Sequence, residues 1–145
     1  MFKHILLPTD GTASSDLSIQ AGVRLAKELG ARVTGLHVVP PFHTFSYRPD
    51  MVEDTEEQYE KDSEEQARKI LLTVEKQAQE CGVPCESVVV RSDDVYDAII
   101  ETARHGQCDL IAMASHGRRG VSALLLGSET QKVLTHSLVP VLVYR

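Results

Sequence analysis

Apolar residues along the chain fall into two kinds of segment. Five short stretches, at residues 2–8, 31–39, 84–91, 108–115 and 139–145, are near-continuous runs of mostly branched apolar side chains. Runs of this kind read as strands buried on both faces, since a half-buried strand would alternate apolar with polar. Between the runs the apolar positions recur with helical spacing. Leu17, Ala21, Leu25 and Leu29 stand four apart and are expected to form the buried face of a first helix that ends at Gly30. Ala67, Ile70, Leu71, Val74 and Ala78 mark a second helix stopping at Gly82, and a third opens on Asp93 and Asp94 and stops at Gly106. A fourth is expected to start near Gly127 and to run through Val133 and Leu134.

Strand and helix in alternation, with strands this apolar, predict an α/β fold with a parallel sheet covered on both faces. Right-handed crossovers leave few topologies, and the expected one is an open, doubly wound sheet of five strands in the order 3-2-1-4-5. The 145 residues suit a single domain spanning 1–145, and a domain of that size buries roughly 70% of the surface its unfolded chain exposes.

Charge narrows the partners. Fifteen Lys and Arg stand against 21 Asp and Glu, a formal net charge of -6. A surface of that sign repels nucleic acid, and no basic stripe offsets it. A single small anion held by local backbone donors remains compatible with it. Cys81, Cys85 and Cys108 are odd in number and widely spaced, with no CxxC, which argues against a disulfide framework or a zinc site. The opening MFKHILLPTD lacks the form of a secretion signal, and no apolar stretch approaches the ~18 residues of a membrane span. A cytoplasmic location without membrane insertion is expected.

Two connections stand out. The first, residues 40–66, begins with prolines and the aromatics Phe42, Phe45 and Tyr47, then turns strongly acidic. It reads as a solvated helix start, with acids at the positive end of the dipole, or alternatively as a flap over a ligand. The second, residues 115–128, follows the fourth strand. Ligands of open α/β sheets bind at the carboxyl ends of the strands where strand order reverses, here between the first strand and the fourth. Those ends read Pro8-Thr9-Asp10-Gly11 and Ala114-Ser115-His116-Gly117, both polar and rich in small residues. Gly117 and Gly120 relieve the backbone, and Gly127-Ser128-Glu129-Thr130 opens the last helix with free amides and two hydroxyls, as a phosphate site requires. Ser128 also suits an ordinary N-cap. Neither a Walker A sequence nor a GxGxxG fingerprint is present.

The segments SHGRRGVSALLLGSETQKVLTHSLVPVLVYR, HILLPTDGTASSD and VTGLHVV together resemble the universal stress protein family, over the whole chain. Its ATP-binding members carry a glycine, two residues, a second glycine, nine residues, and a third glycine followed by Ser or Thr. Gly117 and Gly127-Ser128 match the latter part, whereas Ala114 replaces the first glycine. The resemblance implies an adenine-nucleotide alpha hydrolase-like fold and a bound ATP, with AMP or another adenine nucleotide as alternatives. In that scheme Asp10 accepts hydrogen bonds from the ribose, and Pro8 and Thr9 shape its wall. Val38 offers backbone groups to the adenine edge, and Met113 and His116 line the opposite side. Gly117, Gly127, Ser128, Glu129 and Thr130 hold the phosphates, with the Glu129 carboxylate turned away or reaching a bridging Mg²⁺. The resemblance also implies a homodimer through the C-terminal strand.

A catalytic set is not evident. No nucleophile elbow, Ser-His-Asp order or metal cluster can be picked out, and nothing aligns Asp10 or His116 with a γ-phosphate. Arg118 and Arg119 read as a solvated turn or as charges that neutralise phosphate, and His37 as a satisfied strand histidine. A nucleotide-dependent switch read by an unidentified protein partner is the first expectation. The others are a nucleotide-free scaffold, which Ala114 favours, and a slow ATPase. A phosphoacceptor receiver shares the topology but would need a lysine after the fifth strand, and none follows before Arg145.

Overall fold

A computed structural model describes residues 1–43, 55–116 and 126–145. Its elements run β1 (His4–Pro8), α1 (Ala13–Leu29), β2 (Arg32–Val39), α2 (Glu56–Cys81), β3 (Cys85–Arg91), α3 (Val95–His105), β4 (Leu110–Ala114), α4 (Ser128–His136) and β5 (Val141–Tyr144). The strands are parallel and ordered β3-β2-β1-β4-β5, as expected. Register is set at the centre by Ile5 opposite Val33 on one side and Leu110 on the other.

Apolar continuity in β1 and β4 follows from their position. Every residue of β4 is buried, as are His4 to Leu7 of β1, because helices cover both sides of the sheet. Ile5 and Leu7 pack with Ile19, Val23 and Ala26 of α1 and Val74 and Ala78 of α2. Leu6, pointing the other way, packs with Leu36, Ile99, Ile111 and Val133 under α3 and α4. Edge strands β3 and β5 hold no fully buried residue. Among the described residues no helix is long and apolar enough to cross a membrane.

Three local features differ from expectation. The buried face of α1 is Ile19, Gly22, Val23 and Ala26 with Ser15 and Ser18, while Leu17 is 65% exposed. A spacing of four drifts about 40° per step around a helix, so the row from Leu17 to Leu29 winds off the core-facing line. Only Leu25 and Leu29 reach the core, from its flank. Next, the acidic stretch is a solvated helix start, as one reading had it, but α2 begins earlier than the apolar row from Ala67 marked, at Glu56. Thr55 caps it by accepting from the Gln58 amide, and Glu56 and Glu57 occupy the positive end of the dipole. Arg91 holds these early turns by donating to the Glu60 carbonyl at 2.9 Å and to Ser63 Oγ at 3.0 Å. Phe45 and Tyr47 of the flap reading lie outside the described residues, and Phe42 packs on Tyr59. Lastly, Gly30 and Gly82 close α1 and α2 at φ +65 and +70, but α3 ends with Gly106 right-handed and Gln107 at φ +55.

Beneath the N-terminal ends of the strands lies a buried polar group. His4 Nε2 is 2.7 Å from Thr34 Oγ1, and Cys108 Sγ is 3.7 Å from His4 Nδ1. Burial pushes the Cys108 thiol up to about 11, leaving it unreactive at neutral pH. Burial, aided by the nearby Arg32 charge, holds the His4 imidazole below its ordinary value, against the opposing pull of a backbone hydrogen bond at Gly106 and the charges of Glu86 and Asp109. The unfolded chain therefore takes up this proton before the folded one does. Stability contributed by neutral His4 is intact above the ordinary imidazole value of about 6.5 and is lost as pH falls below it. Urea midpoints should fall between pH 7.5 and 5.5 in the native sequence and fall less in His4→Gln. Equal slopes in the two proteins would show that His4 does not carry this acid sensitivity.

Candidate functional site

Where β1 ends, the chain must leave the sheet and enter α1 within four residues. Thr9 continues the ladder by donating its amide to the Leu36 carbonyl at 2.8 Å. Asp10 then turns its Oδ1 back on the helix start, accepting from the Thr12 amide at 3.0 Å, Thr12 Oγ1 at 2.6 Å and Ser15 Oγ at 2.7 Å. Thr12 is the N-cap proper, so Asp10 braces the α1 entrance from outside it. His37 donates Nδ1–H to the Thr9 carbonyl at 2.8 Å, which leaves Nε2 the acceptor in the neutral ring.

At the end of β4 two bonds place α4. The Ser115 carbonyl accepts from the Gly127 amide at 2.6 Å, and the Ala114 carbonyl accepts from Thr130 Oγ1 at 2.9 Å. Gly127, not Ser128, is the N-cap, and with no side chain it cannot cap the first turn. Among the described residues the amides of Ser128, Glu129 and Thr130 thus keep the partnerless character of a helix start, at the positive end of the α4 dipole. Ser128 is exposed at the first helical position. His116 Nδ1 lies 2.8 Å from Ser115 Oγ.

Between these ends opens a cavity of about 570 Å³, within the range of small-molecule sites. Pro8, Thr9, Asp10, Val38, Met113, His116, Gly127, Ser128, Glu129 and Thr130 all line it. Gly117, with Arg118, Arg119 and Gly120, lies outside the described residues. Leu36, Val38, Val95, Ile99 and Met113 make one wall apolar, while Asp10 and the α4 amides form polar ends. Ala114 lines the cavity without closing it.

Two donors expected to face phosphate are engaged within the fold. The Gly127 amide and the Thr130 hydroxyl proton each go to a β4-end carbonyl. That leaves three first-turn amides and the Ser128 hydroxyl. The Glu129 carboxylate turns toward α3, whose N-cap Asp94 makes no side-chain cap. Glu129 Oε2 accepts from the Tyr96 amide at 2.9 Å, and its Oε1 lies 3.6 Å from Lys132 Nζ. Lys132 in turn sits 5.5 Å above the Tyr96 ring.

Sequence reading missed Ser15, Leu36, His37, Val95 and Ile99 as lining residues. Val95 and Ile99 carry a usable signal, one turn apart at the start of a helix that must begin beside the strand ends. Leu36 stands two before Val38 and so shares its sheet face. Ser15 and His37 gave no such signal, because each enters through a contact with the β1 end. Among the described residues no group of three or more His, Cys, Asp or Glu is placed to hold a metal ion.

The sequence profile of the universal stress protein family matches residues 1–145. Universal stress protein MJ0531 of Methanocaldococcus jannaschii is 32% identical over 151 aligned residues, covering 100% of this chain and 83% of its own. The solved structure of MJ0577, from the same archaeon, aligns at a TM-score of 0.81 with 26% identity, covering 99% of this chain and 95% of that one. A universal stress protein solved in complex with cAMP aligns at 0.74 with 22% identity, over 99% and 97% of the two chains.

The Thr130 bond yields a stability test. Thr130→Val keeps the shape but strands the buried Ala114 carbonyl, costing about 1–3 kcal/mol. Urea unfolding should show that loss; an unchanged midpoint would mean that the bond does not hold α4 to β4.

Proposed function

The chain belongs to the universal stress protein family, and we propose that within it this protein is an adenine-nucleotide-dependent switch, binding ATP as its Mg²⁺ complex or AMP in the cavity between β1 and β4. The observation that carries this reading is the uncapped start of α4 opening into one end of a cavity whose opposite wall is apolar. Adenine packs against Val38, Val95, Ile99 and Met113, and its edge meets the backbone of Val38. The ribose lies by Asp10, whose Oδ1 braces the helix entrance at the same end of the cavity. Phosphate takes the amides of Ser128, Glu129 and Thr130, joined by Gly117. The cAMP complex of a structural neighbour supports an adenine ligand for this fold. Ala114 is compatible with it, because the cavity stays open with the methyl in its wall.

Occupancy would order the residues around the crevice and so change a surface that a protein partner reads. The open edge of β5 is proposed to pair with its copy, antiparallel across a twofold axis.

Ser128→Pro isolates the phosphate contact. Proline suits the first helical position, and Gly127 at φ -60 and ψ 149 already has the extended backbone that proline demands before it. The helix should persist while one amide and one hydroxyl donor are removed. Calorimetry with Mg²⁺ and ATP should show a loss of roughly tenfold or more, and mass spectrometry should find adenine nucleotide in the freshly purified native sequence and less in the variant. No ligand in the native protein and no heat at millimolar ATP would end this reading.

The dimer is tested at Val143. Pro140 and Tyr144 turn their carbonyls to β4, so by strand alternation the Val143 amide faces the open edge. Val143→Pro should convert a sedimenting dimer to monomer; a dimer that survives places the interface elsewhere.

A further inference from the structure

Charge around the cavity is unevenly matched to a polyphosphate. Glu129 lines it, and among its described lining residues there is no lysine or arginine. Among the described residues the positive side is the start of α4, equivalent to about half an elementary charge. Its supply of donors is further reduced, because the Gly127 amide and the Thr130 hydroxyl proton serve β4. Glu129 cannot swing away without releasing the Tyr96 amide, since its Oε2 is the cap that α3 lacks from Asp94. Lys132 stands 3.6 Å from its other oxygen, but both side chains are substantially exposed, at 52% and 39%, and solvent weakens their pairing.

We propose that Glu129 is a specificity-determining residue that makes the site discriminate by phosphate charge: nucleotides bearing one phosphate bind directly, and ATP binds only when a divalent cation neutralises its outer phosphates. The proposal rests on the adenine-nucleotide reading above. A carboxylate fixed on the second residue of α4 stands beside the first-turn amides that take the first phosphate. Each further phosphate adds negative charge near it without adding a described donor. Adenosine carries no such charge and is indifferent to it.

Calorimetric titration with adenosine, AMP and ATP, each in chelator and in Mg²⁺, separates the outcomes. In chelator the native protein should bind AMP more tightly than ATP, and Mg²⁺ should close the gap. Glu129→Gln keeps an amide oxygen to accept from Tyr96 and removes only the charge. It should raise metal-free ATP affinity about fivefold, as expected for one charge a few ångströms away in partly screened surroundings, raise AMP affinity less, and leave adenosine unchanged. Unchanged adenosine binding doubles as the check that the variant's cavity is intact. Metal-free ATP binding more tightly than AMP, as it would if Arg118 and Arg119 carried the outer phosphates, overturns the charge rule alone. An unchanged ratio of ATP to AMP affinity in Glu129→Gln does the same. No heat with any of the three ligands, adenosine included, overturns the nucleotide reading and the charge rule with it.

Discussion

β1 must bury both of its faces, and the rest of the molecule is arranged around that requirement. Ile5 and Leu7 need one set of helices and Leu6 needs another, so the sheet cannot be a two-layer structure with a wet side. Parallel neighbours on both sides of β1 follow from right-handed crossovers that carry α1 to one face and α3 to the other. Once β1 is central, the chain departs from its carboxyl end toward β2 and arrives at β4 from the opposite direction. The helices diverge there and a crevice is left over the strand ends. The cavity is thus a by-product of how the core is satisfied.

What turns a crevice into a candidate site is the placement of α4. Two carbonyls at the end of β4, those of Ala114 and Ser115, would otherwise point past the sheet without partners. They are satisfied by Thr130 and Gly127, which pins the start of α4 at the mouth of the cavity. With two donors engaged this way, the remaining first-turn amides have no side-chain cap. The same residues therefore answer a structural need and a chemical one, which is why glycine at the cap is informative: any Ser, Thr or Asp there would cover the amides itself.

Glu129 joins the two helices that flank this mouth. It borrows the amide that Asp94 leaves uncapped, so α3 and α4 share one carboxylate at their starts. Val95 and Ile99, which build the apolar wall, hang from that shared point. In the proposed site, the phosphate end and the apolar wall would be linked through this one carboxylate. His4, Thr34 and Cys108 lie at the other end of the sheet and take no part in this cavity.

Much of this was legible in the residues. Near-continuous apolar runs marked all five strands; burial on both sides accounts for them in β1 and β4, whereas the edge strands β3 and β5 hold no fully buried residue. Gly30 and Gly82 marked helix ends, because left-handed backbone is where glycine is cheapest. Strand order pointed to Pro8-Thr9-Asp10 and to the stretch after Met113, and of these Pro8, Thr9, Asp10, Ala114 and His116 line one cavity while Ser115 does not. Illegible were properties that depend on distant partners. The row from Leu17 promised a buried face, but the sheet selected Ile19 and Val23. Arg91, from far along the chain, bonds to the early turns of α2 at Glu60 and Ser63. Sequence determined the elements and the chemistry available at the strand ends, because periodicity and residue type are local. Only tertiary structure decided which donors remained for a ligand and where the Glu129 charge came to rest, because those depend on carbonyls and amides that folding brings together.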